Sequence, residues 1–442
     1  MKILKYKIII LMAITIGLFS SCEKDFTNVN QANEEQILNT KEGLMALSLG
    51  LTQNFTTSTL APVVEISALS TRELGNLLTY LTPAELVGGG TALPDENSGV
   101  TRLWKRLNKD KKVSEDIINN IDGVTMDPGT TSGLKAYAKF FKAMTLGYLI
   151  QNFEQAPINS KEDGQATFSD RNTVLLECIN LLESAKADIT STPISSEALT
   201  VLGGLDLPNT INAYLARYNL FAGNYIDAIT AANNVDLTSM SVWKYEGSNE
   251  NPIWNFAVNN DPDTKPQDNF GLTGSYIPEV TDGRIAFYLS PSSDVETDYG
   301  FHGVEDCLGF FSSSSTSIPV YLPGEMLLIK AEAYAMQDDL PNAVIQLNLV
   351  REKTDDAFGV NAGLAAWTGD VNNKSDILDE IFRNRSIELF LTGMRLEDSR
   401  RIHSSFTPSN AIDYISERNR NYYPYPYEEK ANNSNTPNDP AI

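Results

Sequence analysis

The stretches 213–232, AYLARYNLFAGNYIDAITAA, and 326–351, MLLIKAEAYAMQDDLPNAVIQLNLVR, share one plan. In each, an alanine lies 12 residues before a second alanine (Ala216 and Ala228; Ala331 and Ala343). A bulky residue, Tyr225 or Leu340, stands three before the second alanine. Short polar turns separate the halves, Ala222-Gly223-Asn224 in one and Gln337-Asp338-Asp339 in the other. Small alanines let two helices approach, and the bulky residue plugs the turn. Each stretch therefore predicts a helix–turn–helix hairpin of the tetratricopeptide kind. Two with matched spacing predict a mainly α fold built from such pairs.

Working outward, residues 40–57 place Leu44, Leu47, Leu51 and Phe55 at helical spacing. Residues 133–152 do the same with Leu134, Tyr137, Phe141, Met144 and Leu149, and residues 172–189 with Val174, Leu175, Ile179 and Leu182. A period near 3.6 marks helices that pack one face inward. The expected helical body covers about 35–57, 101–235 and 321–405 of a single domain spanning 22–442. Two loop-rich excursions interrupt it, about 58–100 and 236–320, and an irregular tail, 406–442, closes it. Loops this long in a compact protein are generally functional or disordered. The second excursion is rich in aromatic residues, which disordered segments lack.

The N-terminus reads as an export leader, residues 1–21. Lys2, Lys5 and Lys7 precede a 12-residue apolar run, Ile8–Phe19, and the small pair Ser20-Ser21 precedes Cys22. That pattern is a signal peptide; the run falls short of the roughly 20 residues a membrane-spanning helix needs. A cysteine at this position predicts lipid attachment at Cys22 after cleavage. Several acyl chains on one residue would hold the mature protein on a membrane durably.

The chain has 442 residues and a formal charge of −23; removal of the three leader lysines makes the mature chain −26. Such a charge repels nucleic-acid phosphates and anionic headgroups, so nucleic acid is not an expected partner. Beyond Cys22 only Cys178 and Cys307 remain, too few for a disulfide framework. Cys178 occupies an apolar helical position and reads as a small buried hydrophobe.

Catalytic signatures are missing. The two histidines, His302 and His403, lie about 100 positions apart, and no His-Glu-x-x-His helix, Gly-x-Ser-x-Gly elbow or phosphate loop occurs. His403, after Arg400 and Arg401, reads as a helix-end cap. With 57 acidic residues, some carboxylate pair is always available, so that signal has no specificity. Asp261-Pro262-Asp263 is compatible with calcium but unspecific. No enzyme activity, metal or cofactor is expected. What remains is a set of aromatics in irregular segments. Aromatic faces suit sugar rings, whose C–H faces are apolar while their edges hydrogen-bond. Trp243, Trp254, Tyr276 and Tyr288 are the candidate ligand contacts. The competing reading is that these rings bury themselves to pin the loops to the body.

Several blocks resemble one family. They are Leu103-Trp104-Lys105 with Asn108, and Ala143–Tyr148 running through Leu149–Phe153 to Ala156-Pro157-Ile158. Ser169-Asp170-Arg171 and the two hairpins follow. Next come Ile381–Arg385 with Glu388-Leu389, Gly393-Met394-Arg395 and Asp398–Arg400, and last Tyr423-Pro424-Tyr425-Pro426 with Glu428. Together with the leader, these resemble the SusD/RagB family of outer-membrane nutrient-binding lipoproteins of Bacteroidetes. The chain departs from the family pattern at Asn384, where Glu is usual, and at Glu154-Gln155, in place of Gly-Asp. The resemblance implies a tetratricopeptide-like helical body with ligand contacts from loops. It implies no catalysis, a lipid on Cys22 and an outer-membrane, cell-surface location. It also implies capture of oligosaccharide for a TonB-dependent SusC-like transporter. A peptide ligand is the first alternative, since Glu279 and Asp282 beside Tyr276 would favour basic peptides. A tetratricopeptide-like interaction scaffold is the second. Arg385 with Glu388, and Arg395 with Asp398, each three apart, are expected to form ion pairs bracing the body.

Overall fold

Side-chain caps set the helix starts. In the computed structural model, which describes residues 37–77, 80–259, 264–292, 303–408 and 418–442, Thr40 accepts from Gly43 N–H and opens α1 (Lys41–Asn54). A π-helical turn, Phe55–Thr59, leads into α2 (Leu60–Ser70). Strand β1 (Leu74–Asn76) and α3 (Leu81–Gly88) follow. Asn97 caps α4 (Ser98–Asn120), and Asp127 caps α5 (Pro128–Asn152), whose leading proline sacrifices no hydrogen bond. Strands β2 (Gln155–Pro157) and β3 (Phe168–Asp170) pair, and Asp170 caps α6 (Arg171–Ser191). Ser195 caps α7 (Ser196–Leu202). Each such cap contributes about 1 kcal/mol.

The first hairpin is α8 (Leu207–Phe221) with α9 (Tyr225–Asn233). An irregular stretch holds β4 (Val242–Trp243), α10 (Pro252–Ala257), β5 (Thr264–Pro266), α11 (Gly283–Tyr288), β6 (Leu289–Pro291), β7 (Glu305–Cys307) and β8 (Ile318–Pro319). The second hairpin is α12 (Pro323–Met336) with α13 (Leu340–Arg351). Then come α14 (Lys374–Glu388), α15 (Arg395–Ile402) and α16 (Tyr427–Asn432). Among the described residues the strands form four two-stranded antiparallel pairs, β1–β5, β2–β3, β4–β8 and β6–β7. β1–β5 ties the long excursion to the chain after α2, β4–β8 and β6–β7 fold it on itself, and the four build no sheet core. No helix among the described residues is long and apolar enough to cross a membrane.

The centre is α5, on which every residue from Ala136 to Asn152 is buried. α4 and α6 flank it, and α8 approaches it closely. A side chain at Gly147 would place its Cβ 2.0 Å from the Tyr218 hydroxyl, so only glycine permits that approach. Both predicted hairpins are present. Gly223 and Asp338 make the turns with positive φ, at 77° and 61°.

Three expectations change. The excursion at 58–100 is largely helical: α1 and α2 form one helical course to Ser70. Pro62 has no N–H for the carbonyl one turn back, and the ladder shifts register just before it, with Leu60 N–H reaching Phe55 O. The tail is also ordered where described. Tyr423 and Tyr425 are core residues, Tyr423 O–H donates to Ile66 O at 3.1 Å, and Asn419 Nδ2 donates to Leu86 O at 2.7 Å. Finally, Arg385 and Glu388 do not pair with each other. Arg385 meets Asp398 at 2.8 Å, and Glu388 meets Arg284 at 3.1 Å and Lys353 at 2.5 Å. Arg395 turns to Glu73, 3.8 Å away, and to the carbonyls of Phe270 and Ser386. These buried groups brace elements distant in sequence, not neighbouring turns. Cys178 and Cys307 are buried free thiols. The leader, Cys22, Asp261, Asp263 and His302 lie outside the described residues.

Asp110 ties α4 to the π turn. Its carboxylate accepts from Thr59 Oγ1 at 2.6 Å and Asn54 Nδ2 at 2.5 Å. Burial pushes its carboxyl up to about 6, against the pull of those hydrogen bonds and of Lys109 and Arg106. The unfolded chain releases this proton near 3.9. The stability that the proton confers is therefore full below pH ~4 and lost as pH rises through ~6, a swing of about 3 kcal/mol. Asp110→Asn, with no proton to lose, is expected to gain stability relative to the wild type between pH 4 and pH 7. Calorimetric unfolding at the two pH values measures this, and equal differences at both would refute it.

Candidate ligand-binding cleft

A cleft of about 700 Å³ opens where the start of α2 faces the segment 247–256. Its walls are Thr57, Ala61 and Glu65 on one side, Arg102 of α4 beside them, and Gly247–Glu250, Pro252, Asn255 and Phe256 opposite. The volume falls in the range of small-molecule sites. The lining offers amide, hydroxyl and carboxylate groups, one guanidinium and one aromatic ring.

Local sequence fixes each wall. Glu246 and Asn249 exchange backbone hydrogen bonds at 3.1 and 2.8 Å, closing a tight turn. Gln53 Nε2 donates to Asn249 Oδ1 at 3.0 Å and ties that turn to α1. Asn251 then holds α10. Its Oδ1 accepts from Ile253 and Trp254 N–H, and its Nδ2 donates to Phe310 O at 2.8 Å and Thr316 O at 2.9 Å. Every hydrogen-bonding position of this buried amide is used, so α10 presents Asn255 and Phe256 from a fixed base. Across the cleft, Arg102 Nη2 and Glu65 Oε2 pair at 2.6 Å. This exposed pair contributes little stability, within about 1 kcal/mol, but orients both groups toward the opening.

The four sequence-picked aromatics do not gather here. Trp243 is 3% exposed, packed 5.6 Å from Phe55 and 5.9 Å from Phe141. It lines an interior void of about 40 Å³ together with Tyr148, Arg217 and Glu325. Tyr288 has no exposed surface; its hydroxyl donates to Glu388 O at 3.1 Å, and burial pushes it far above the ordinary phenol range. Neither ring has a face to offer a ligand, and both pin the long excursion to the core. Tyr276 is partly buried against Phe382, with its hydroxyl 3.1 Å from Asp379 Oδ1 and 3.3 Å from His403 Nε2. Trp254 is partly exposed on α10 but is not among the cleft-lining residues. Asn255, Phe256, Glu65 and Arg102 were missed. The run Asn251-Pro252, a capped helix start inside a polar stretch, was the available signal for the first two.

His403 caps the end of α15 as expected, but through its backbone and not its ring. Its backbone N–H closes α15 on Ser399 O, while its ring pairs with Asp379 at 3.0 Å and packs 4.5 Å from Phe382. The acids expected to attract basic peptides are already engaged. Glu279 accepts from Arg351 at 2.8 Å and Arg383 at 3.0 Å, and Asp282 from Arg284 at 2.7 Å. Among the described residues, no group of three or more metal-ligating side chains is assembled.

With this geometry in place, comparison locates the fold. The sequence profile of the SusD family matches residues 311–441. The structure is similar to a SusD superfamily protein from Parabacteroides distasonis, at 16% identity and a TM-score of 0.69, covering 91% of this chain and 99% of that one. It is similar to a SusD-like carbohydrate binding protein from Bacteroides fragilis (14% identity, TM-score 0.67, 91% and 100% covered). A putative sugar binding protein from Bacteroides vulgatus gives 16%, 0.64, 91% and 98%. At these identities the likeness is one of fold. No curated protein matches the sequence.

Arg284 holds the excursion to α14. It has no exposed surface and donates to Asp282, to Glu388 at 3.1 Å and to Asn384 at 2.8 Å. Arg284→Met strands Asp282 without a cation in the interior. Removing one member of a buried pair costs about 3–5 kcal/mol. Urea unfolding is expected to record a loss of that size, and a change under ~1 kcal/mol would refute the bracing role.

Proposed function

We propose that the chain is a SusD/RagB family member and, on that footing, a non-catalytic binding protein that captures oligosaccharide. The observation that carries this reading is the cleft of about 700 Å³ with Asn249, Asn255, Glu65, Glu250, Arg102 and Phe256 on its walls. A sugar hydroxyl both donates and accepts. Amides and carboxylates side by side answer both roles, and a ring such as Phe256 answers the apolar sugar face. Solved proteins of this fold that are described as sugar binding or carbohydrate binding support the same class.

The location and partner complete the proposal. A leader ending at Cys22 supports a lipid tether, and family membership supports the outer membrane, the cell-surface side and delivery to a TonB-dependent SusC-like transporter. Of the aromatics named from sequence, Trp254, next to Asn255 on α10, stays as a candidate at the edge of the site, while Tyr276, partly exposed, packs on Phe382 and His403 away from the cleft lining. Peptide capture is the weaker reading, because Glu279 and Asp282 are consumed by internal arginines.

The test is binding of the purified full chain to a panel of neutral glycans and peptides, read by calorimetry. At least one neutral glycan is expected to bind, with Asn255→Ala or Phe256→Ala weakening it tenfold or more while unfolding midpoints stay put. A panel in which peptides bind and glycans do not would overturn the reading. So would glycan binding that both substitutions leave intact.

A further inference from the structure

We propose that the groove running from the cleft along α4 toward α16 is a subsite for an anionic group, carboxylate or sulfate, on the captured oligosaccharide. The inference rests on the carbohydrate reading above and deepens it. The groove, of about 590 Å³, is lined by Asp95, Glu96, Ser98, Thr101, Arg102, Lys105, Arg106, Lys109, Tyr427 and Glu428. Arg102 lines both this groove and the cleft, so the two adjoin at its side chain.

The sequence placed four cations there against the trend of the whole chain, which has 57 acidic and 34 basic residues. Arg102, Lys105, Arg106 and Lys109 recur at i, i+3, i+4 and i+7, which is one helical face. The opposite face is fixed inward, since Leu103, Trp104 and Leu107 are core residues. Two of the cations are committed. Arg102 pairs with Glu65, and Lys105 pairs with Glu428. The other two are not. Among the described residues Lys109 donates to the neutral amide oxygen of Asn54, at 3.1 Å, and neither Lys109 nor Arg106 has an ion-pair partner, although both feel the carboxylate of Asp110. The groove acids are themselves held elsewhere or to one side: Lys430 clamps Asp95 at 2.5 Å, and Glu96 lies next to Asp95. Two uncommitted cations one turn apart, one of them a guanidinium, fit a planar carboxylate or a sulfate.

An exposed ring completes the chemistry. Tyr427 is 58% exposed and stands in the groove wall. Its backbone is anchored, because Tyr427 N–H donates to Asp95 O at 3.1 Å and Trp104 Nε1 donates to Glu429 at 3.0 Å. A fixed aromatic face beside uncommitted cations suits an acidic sugar: the ring takes the C–H face and the cations take the charge.

Calorimetry on the full chain tests this with galacturonic acid oligosaccharides against the same oligosaccharides fully methyl-esterified, which differ only in charge. Chondroitin sulfate oligosaccharides against their desulfated form separate sulfate from carboxylate. At least one acidic probe is expected to bind tenfold or more tighter than its neutral counterpart, with affinity falling as salt rises. The double variant Arg106→Gln with Lys109→Gln is expected to abolish that preference and leave the neutral counterpart's affinity unchanged. Tyr427→Ala should weaken both. If the double variant keeps the preference, or if polyglutamate binds the groove as well as the acidic sugars do, the subsite proposal falls while carbohydrate capture stands. If neutral and acidic sugars both fail to bind, the two readings fall together.

Discussion

Glu388 has no exposed surface and must be neutralised from within. A lone carboxylate in the interior is too costly to keep, so its charge compels partners. Arg284 and Lys353 supply them at 3.1 and 2.5 Å, bringing the segment after residue 280 and the turn after α13 onto α14. The Glu388 carbonyl takes the Tyr288 hydroxyl as well. α12 passes so close that a Cβ on Gly324 would lie 1.9 Å from Glu388 Oε1. Four elements thus converge on one side chain. From there the support runs outward: Tyr288 packs on Phe310 and Phe311, and the Phe310 carbonyl receives Asn251, which starts α10 and so sets one wall of the cleft. The cleft is shaped by a salt bridge it never touches.

The sequence pattern made the helical hairpins legible because small residues at close-packing positions have one main structural use. Ala216, Ala228, Ala331 and Ala343 are all fully buried. Charge pairing was less legible. Spacing along a helix identifies neighbours on a surface, where exposed pairs form. A buried arginine with five donors reaches across elements instead, as Arg385 does toward Asp398 and Arg401 toward Glu332 at 2.6 Å. Exposure of rings was not legible at all. Trp243 stands beside Lys244 and Glu246 yet is buried by tertiary packing, and Tyr288, flanked by Ile285, Ala286, Phe287 and Leu289, is buried as well. The segment 58–70 was missed because Thr59, Pro62 and the β-branched Val63 and Val64 lower helix propensity, while burial of Leu60, Val63, Val64, Ile66 and Leu69 overrides that cost.

The tail explains how a chain of successive pairs becomes one body. Tyr425 packs against Trp104, Phe153 and Phe168 at ring distances of 5.4–6.0 Å, joining α4, the end of α5 and β3. Such pairs add roughly 0.5–1.5 kcal/mol each beyond their buried area. Asn419 and Arg420 satisfy carbonyls of Leu86, Val87, Gly90 and Leu93, closing the N-terminal excursion from outside. A tail read as irregular in sequence is irregular in backbone but not in contacts, since prolines at 424 and 426 preclude a helix without precluding burial.

The same closure determines what a ligand meets. α16 is held against α4 by Trp104 with Glu429 and by Lys105 with Glu428, so the groove between them needs no ligand to form. The cleft beyond Arg102 answers hydroxyls, and the groove answers charge. Specificity is a difference of affinities. A neutral glycan would use the cleft and the Tyr427 ring, whereas an acidic one would also engage Arg106 and Lys109. The surrounding surface carries the opposite charge, with a whole-chain formal charge of −23. The cationic row along α4 therefore stands out from a body that is anionic on the whole. That places discrimination in the contrast between a cationic row and an anionic body, and it makes the position of those four residues, more than their number, the determinant of what the site retains.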